Sequence, residues 1–144
     1  MENAMFLCPK AWQPLLPPGI RLPEGAGQLG ERTWEILVLT PEGLSRMGPV
    51  RCRILLAPGD CGTLKDLEAE RVVTYGLSHQ DSLTLSSLAE PVLCVQRTLP
   101  RPDGAVVEPQ EFPLPPLPFP AAELLPMLGL RLLQMPLTGN PFSW

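Results

Sequence analysis

Proline placement constrains this chain more than any other feature. Its 144 residues include 20 prolines, yet none falls between residues 59 and 90. Proline has no backbone N–H and a locked φ, so it breaks helix interiors and is confined to strand edges. The proline-free stretch is therefore expected to form the regular heart of the fold. With 44% of residues apolar, the chain can build one hydrophobic core but not two large ones.

Residues 1–33 interleave five prolines (Pro9, Pro14, Pro17, Pro18, Pro23) with glycines, and are read as an extended arm that docks through Trp12, Leu15 and Leu16. A single domain is expected over 34–135, followed by an irregular tail over 136–144. The run from Trp34 to Leu39 reads as a buried strand. Thr40, Pro41 and Glu42 then supply an N-cap, a first-turn proline and a first-turn acid for a short helix. A second strand is expected at Arg53–Ala57. A helix with a capping-box-like start at Thr63 to Asp66 should turn Leu64, Leu67 and Ala69 to the sheet. A third strand follows at Arg71–Tyr75.

Strand and helix alternating in this way predict an α/β fold with a small parallel sheet built from βαβ units. Both crossover helices are expected on one face. Beyond Gly76 the pattern changes to three strands, near 82–86, 91–99 and 104–112, an antiparallel extension with a tight turn at Asp103-Gly104. Pro109 must then lie at an edge or bulge. Residues 113–120, Pro-Leu-Pro-Pro-Leu-Pro-Phe-Pro, form a polyproline II connector. Its composition also suits a ligand of aromatic-grooved modules, but Glu108 and Glu111 precede it where such ligands often place arginine. A helix over 121–128 is expected to be damaged at Pro126 and stopped at Gly129, and 130–135 suits strand and helix equally.

Composition narrows function. The net charge is −4 and Lys10 and Lys65 are the only lysines, so neither nucleic acid nor a membrane is an expected partner. The longest apolar stretch, 121–137, is interrupted by Glu123, Pro126 and Arg131 and is too broken to span a bilayer. Glu2 and Asn3 stand where an export signal carries positive charge, which points to the cytoplasm and to reduced thiols at Cys8, Cys52, Cys61 and Cys94. With one histidine, His79, and no Cys-x-x-Cys pair, no metal site and no cofactor are expected.

The loop 57–63 is the most suggestive local feature. It is read as leaving a strand end and entering a helix N-terminus, where backbone N–H groups can hold an anion. Gly59, Gly62, Thr63 and, on the neighbouring loop, Gly76 are the candidate ligand contacts. The spacing matches neither a P-loop nor a dinucleotide fingerprint, and Asp60 opposes a phosphate. Cys61 and His79 are the candidates for a nucleophile–base pair, with Asp81 as the orienting group.

Arg71-Val72-Val73-Thr74-Tyr75-Gly76, then Asp81, the strand at 82–86 and Phe112-Pro113-Leu114-Pro115 before the Ala121 helix, resemble the central domain of the Mur ligases. These are the ATP-dependent amino-acid ligases of peptidoglycan assembly. The resemblance covers the layout of residues 52–133. The family's glycine-rich ATP loop, with its lysine and threonine, is absent, so the resemblance implies a ligase-like fold without ligase chemistry, and no functional residue carries over. The leading expectation is a non-catalytic interaction or accessory protein with a protein partner or a second copy of itself. The alternatives are a nucleotide or small-anion binding module on the 57–63 loop, and an enzyme based on Cys61.

Overall fold

The chain enters its sheet within the first few residues. The computed structural model describes residues 1–60, 65–87, 89–136 and 141–142. Six strands run parallel: β1 (Asn3–Phe6), β2 (Ile20–Arg21), β3 (Thr33–Leu39), β4 (Val50–Pro58), β5 (Leu67–Tyr75) and β6 (Leu83–Leu85). β7 (Val92–Val95) lies antiparallel to β6. β8 (Leu99–Pro100) and β9 (Val106–Val107) form a separate antiparallel ribbon, and β10 (Gln110–Pro113) returns to pair with β7. The main sheet has the order β10-β7-β6-β5-β4-β3-β1-β2. The expected α/β class, with a parallel sheet and an antiparallel extension, is the observed one.

The first correction concerns the N-terminus. Asn3–Phe6 is not an arm but an interior strand paired with both β2 and β3. Ala4, Met5 and Phe6 are fully or almost fully buried. Proline begins only at Pro9, so the apolar run before it keeps all its N–H groups and can join a ladder on both sides. The rest of the segment docks: Trp12 is buried, and the Arg131 guanidinium reaches it by donating to the Leu15 carbonyl at 3.0 Å.

Strands β3 and β4 are buried on both faces, as parallel strands between helices must be. Ile36 and Val38 join one core cluster, and Leu37 and Leu39 the other. Helices α1 (Ala26–Leu29) and α2 (Pro41–Arg46) supply Leu29 and Leu44 to the second cluster. Thr40 caps α2 as expected, its Oγ1 accepting the Gly43 N–H at 3.0 Å while donating to the Phe6 carbonyl at 3.0 Å. The second crossover helix is corrected. Leu67 and Ala69 belong to β5, which pairs with β4 from Val50↔Leu67 to Pro58↔Tyr75. Cross-strand ion pairs support this longer strand, Arg51 with Glu68 at 3.2 Å and Arg53 with Glu70 at 3.3 Å. Thr63 and Leu64 lie outside the described residues.

Helix α3 (Leu125–Gln134) covers the other face of the sheet. Pro126 falls in its first turn, where no intrahelical N–H bond is lost, so the proline starts the helix instead of damaging it. Nor does the helix stop at Gly129. A Cβ there would stand 2.7 Å from Leu56 Cδ2 and 3.0 Å from Leu83 Cδ1, so the glycine lets the helix approach the sheet. The ambiguous 130–135 segment is thus mostly helix. Buried Arg131 ties the helix to the chain's end, its Nε donating to the Pro141 carbonyl at 2.7 Å. Phe142 packs edge-on against Phe112, with ring centroids 5.7 Å apart. No helix among the described residues is long and apolar enough to cross a membrane.

The Asp103-Gly104 turn forms, with Gly104 at φ +84°, but it closes the β8–β9 ribbon and not the main sheet. The third antiparallel strand is Gln110–Pro113. The Leu114 N–H donates to Pro91 at 3.3 Å. With the β10–β7 register, this makes Phe112 and Gln110 the inward-bonded residues, so Glu111 and Pro113 face the open edge. By the same alternation Pro109 faces outward too. Glu111 is then the one N–H donor between two prolines, a guarded edge. Replacing Pro109 and Pro113 together by threonine restores two outward donors and is expected to raise self-association over the wild type in sedimentation velocity. An unchanged profile across concentration would show that these prolines do not guard the edge.

Candidate functional site at the carboxyl edge of the parallel strands

Strands β4 and β5 end in register at Pro58 and Tyr75, and a glycine follows each. The Gly59 N–H donates to the Tyr75 carbonyl at 2.9 Å and the Gly76 N–H to the Leu83 carbonyl at 3.1 Å. Both groups thereby extend the backbone pairing, and neither is left to hold an anion. Both residues nevertheless line the cleft described below. Gly62, Thr63 and Cys61 lie outside the described residues.

Asp81 explains why both positions are glycine. A Cβ at Gly59 would stand 1.6 Å from Asp81 Oδ1, and one at Gly76 would stand 2.4 Å from Oδ2. The carboxylate is wedged between two strand ends that only glycine leaves open. Asp81 is 5% exposed. Its Oδ2 accepts the Ser78 N–H at 3.1 Å, while Oδ1 has no donor among the described residues. Among those residues no enclosed side-chain oxygen or nitrogen lacks a partner, so Oδ1 opens on the cleft that Asp81 lines.

That cleft has a volume of about 730 Å³. Gly59, Asp60, Gly76 and Asp81 form its polar side, and Leu77 and Leu125 contribute apolar surface. Leu77 is 61% exposed. The loop after β5 is held from several directions. Gln96 Nε2 donates to the Asp81 carbonyl at 2.7 Å, and the Arg97 guanidinium donates to the Gln80 carbonyl. Thr74 and Ser82 exchange backbone-to-hydroxyl bonds, at 3.3 Å from Thr74 N to Ser82 Oγ and 3.0 Å from Ser82 N to Thr74 Oγ1. The site is preorganised by groups at the end of β7, which sequence reasoning did not single out. The available signal was a glycine directly after each of two neighbouring strands.

His79 is exposed on this loop and is not among the residues lining the cleft. Among the described residues no hydrogen bond joins it to Asp81, whose Oδ2 accepts the Ser78 N–H. Tyr75 is buried below the cleft and its hydroxyl donates to the Leu39 carbonyl at 2.8 Å. Burial raises its pKa above the ordinary phenol range. Among the described residues no group of three or more His, Cys, Asp or Glu side chains is placed to hold a metal ion. The connector after β10 turns Leu114, Leu117 and Phe119 onto the core.

No family model, no curated protein and no solved structure matches this chain.

The fit of Asp81 between the two glycines and the burial of two thiols can each be tested. Gly59→Ala must displace the Asp81 carboxylate and is expected to cost about 1–3 kcal/mol in chemical denaturation. In an Asp81→Ala background the same change should cost far less, because the clash is gone; equal costs in both backgrounds would refute the wedge. The second prediction concerns the thiols. Burial pushes Cys8 up to about 11 and Cys52 up to about 12. The folded state therefore keeps protons that the unfolded chain loses above about pH 8.5. Their contribution to stability is intact below that pH and falls as pH rises through the folded values. Denaturation midpoints measured from pH 7 to 10.5 should decline at the alkaline end, and less so in a Cys8→Ala/Cys52→Ala double variant.

Proposed function

We propose that this protein is a non-catalytic accessory protein that acts by binding, with the cleft between the 58–60 and 76–82 loops as its binding site. The observation that carries this reading is the preformed cleft at the carboxyl ends of adjacent parallel strands, the edge at which open α/β sheets take their ligands. Its loops are held by Asp81, Gln96 and Arg97 before any ligand arrives, so little ordering entropy opposes binding. Tyr75, Gly76 and Asp81, which carry the Mur ligase resemblance, line the same cleft. A ligase-like fold that keeps a binding edge without ligase chemistry fits both. The setting we propose is the cytoplasm, with a protein partner or a second copy meeting the exposed apolar side chains Val72 and Val106.

The nucleotide or small-anion reading draws support from the position of the 57–63 loop. It is weakened by the Gly59 and Gly76 N–H groups being committed to backbone carbonyls. A Cys61-based enzyme remains the third reading, and an activity that survives Cys61→Ala would remove it.

A thermal-shift panel of ATP with and without magnesium, phosphate, UDP-sugars and small amines tests the binding reading. A ligand at about a hundred times its Kd stabilises by roughly 2.7 kcal/mol, which raises the midpoint of a domain this size by about 5–10 °C. At least one compound is expected to shift the wild type and not Ala122→Trp, which puts a large side chain at a residue lining the cleft. A panel without any such shift removes the cleft and leaves the protein-partner surface.

A further inference from the structure

The ligand class of this cleft follows from what Asp81 lacks. Asp81 is 5% exposed as a residue, and a carboxylate in such surroundings is costly unless its charge and lone pairs are met. Oδ2 has the Ser78 N–H, but Oδ1 has no donor among the described residues. Asp60 adds a second carboxyl group to the lining, which includes no Lys, Arg or His among the described residues. Several basic side chains elsewhere are engaged: Arg53 with Glu35 and Glu70, Arg51 with Glu68, Arg21 and Arg32 with Glu2. Arg97 reaches this loop from the end of β7 and is also engaged, its guanidinium donating to the Gln80 carbonyl. The protein thus brings two acidic groups to the cleft and no cation from the described lining to meet them.

We propose that the cleft receives a small organic cation, a protonated amine or guanidinium carried on an apolar body. This inference rests on the binding reading above. The cationic head donates to Asp81 Oδ1 and lies in the field of Asp60. The apolar part packs on Pro58, Ala122 and Leu125, with Leu77 folding over from the mouth. A charge-assisted hydrogen bond to a carboxylate held in place by the fold is strong and directional, and apolar contact supplies the remainder. A phosphate at this position meets two carboxyl groups and finds both glycine N–H groups already bonded.

Calorimetric titration of the full chain with phenethylamine, putrescine and agmatine tests the proposal, with phenylacetate, inorganic phosphate and ATP as the oppositely charged set. The expected result is binding of at least one cation, weakened by roughly 10- to 100-fold in Asp81→Asn and lost in Ala122→Trp. Should Asp81→Asn fail to fold, Asp60→Asn serves instead and is expected to weaken the same cation severalfold. Binding of phosphate, ATP or phenylacetate that Ala122→Trp abolishes, with no cation bound, overturns the ligand class and preserves the cleft as a binding site. Cation affinity unchanged in the aspartate variant also overturns the ligand class. An absence of binding by any of the six compounds, or binding indifferent to Ala122→Trp, overturns the ligand class and the cleft together.

Discussion

Strand β4 is paired to a parallel neighbour on each side, and the rest of the molecule is arranged around that double ladder. Its register with β3 and β5 aligns Trp34, Cys52 and Ala69 at one level and Leu37, Leu55 and Val72 at another. From Ile54 to Pro58 every residue of β4 is buried. A strand enclosed in this way tolerates only apolar side chains, and it forces a cover onto both faces of the sheet. Helices α1 and α2 supply one cover. Helix α3, Trp12 and the β8–β9 ribbon supply the other, through Leu99 and Val107.

The same ladder places the site. Because β4 and β5 are in register to their last residues, Gly59 and Gly76 emerge side by side. The short path from β5 to β6 then brings Asp81 back over them. The cleft is a consequence of two strands ending level and a third beginning close by. Its rigidity comes from further away, since Gln96 and Arg97 reach the loop after β7 has already turned back along β6. The loop's hydrogen bonds are spread over three strands, so the loop is held by the sheet and not by its own turn alone.

Charges in this protein are segregated by role. Glu35, Arg53 and Glu70 form a row across β3, β4 and β5, with nitrogen–oxygen distances of 3.0 and 3.3 Å. The ladder registers skip that same level. Exposed pairs of this kind add little stability individually; here they accompany the place where the inward alternation of three strands shifts. Buried Arg131 acts differently. Its guanidinium satisfies carbonyls from both ends of the chain, and desolvation lowers its pKa. It fastens Leu15 and Pro141 to α3, residues far apart in the chain.

The sequence by itself determined the elements whose causes are local. The apolar runs of β3 and β4, the Thr40 cap, the Asp103-Gly104 turn and the antiparallel region after Gly76 each depend on residues within a few positions of one another. The edge of the sheet nearest Gly59 and Gly76 was legible for the same reason, because each glycine directly follows a strand-forming run. Only the tertiary structure decided the rest. Asn3–Phe6 is a strand because β2 and β3 flank it, and β5 extends back to Leu67 because β4 continues to offer hydrogen bonds. Gly129 lies inside a helix because Leu56 and Leu83 leave no room for a Cβ. Gly59 and Gly76 make room for the protein's own carboxylate and not for an external anion, because Asp81 fills the space between them. Backbone pairing and steric exclusion act between residues far apart in the chain, and no local pattern records which neighbours will be there.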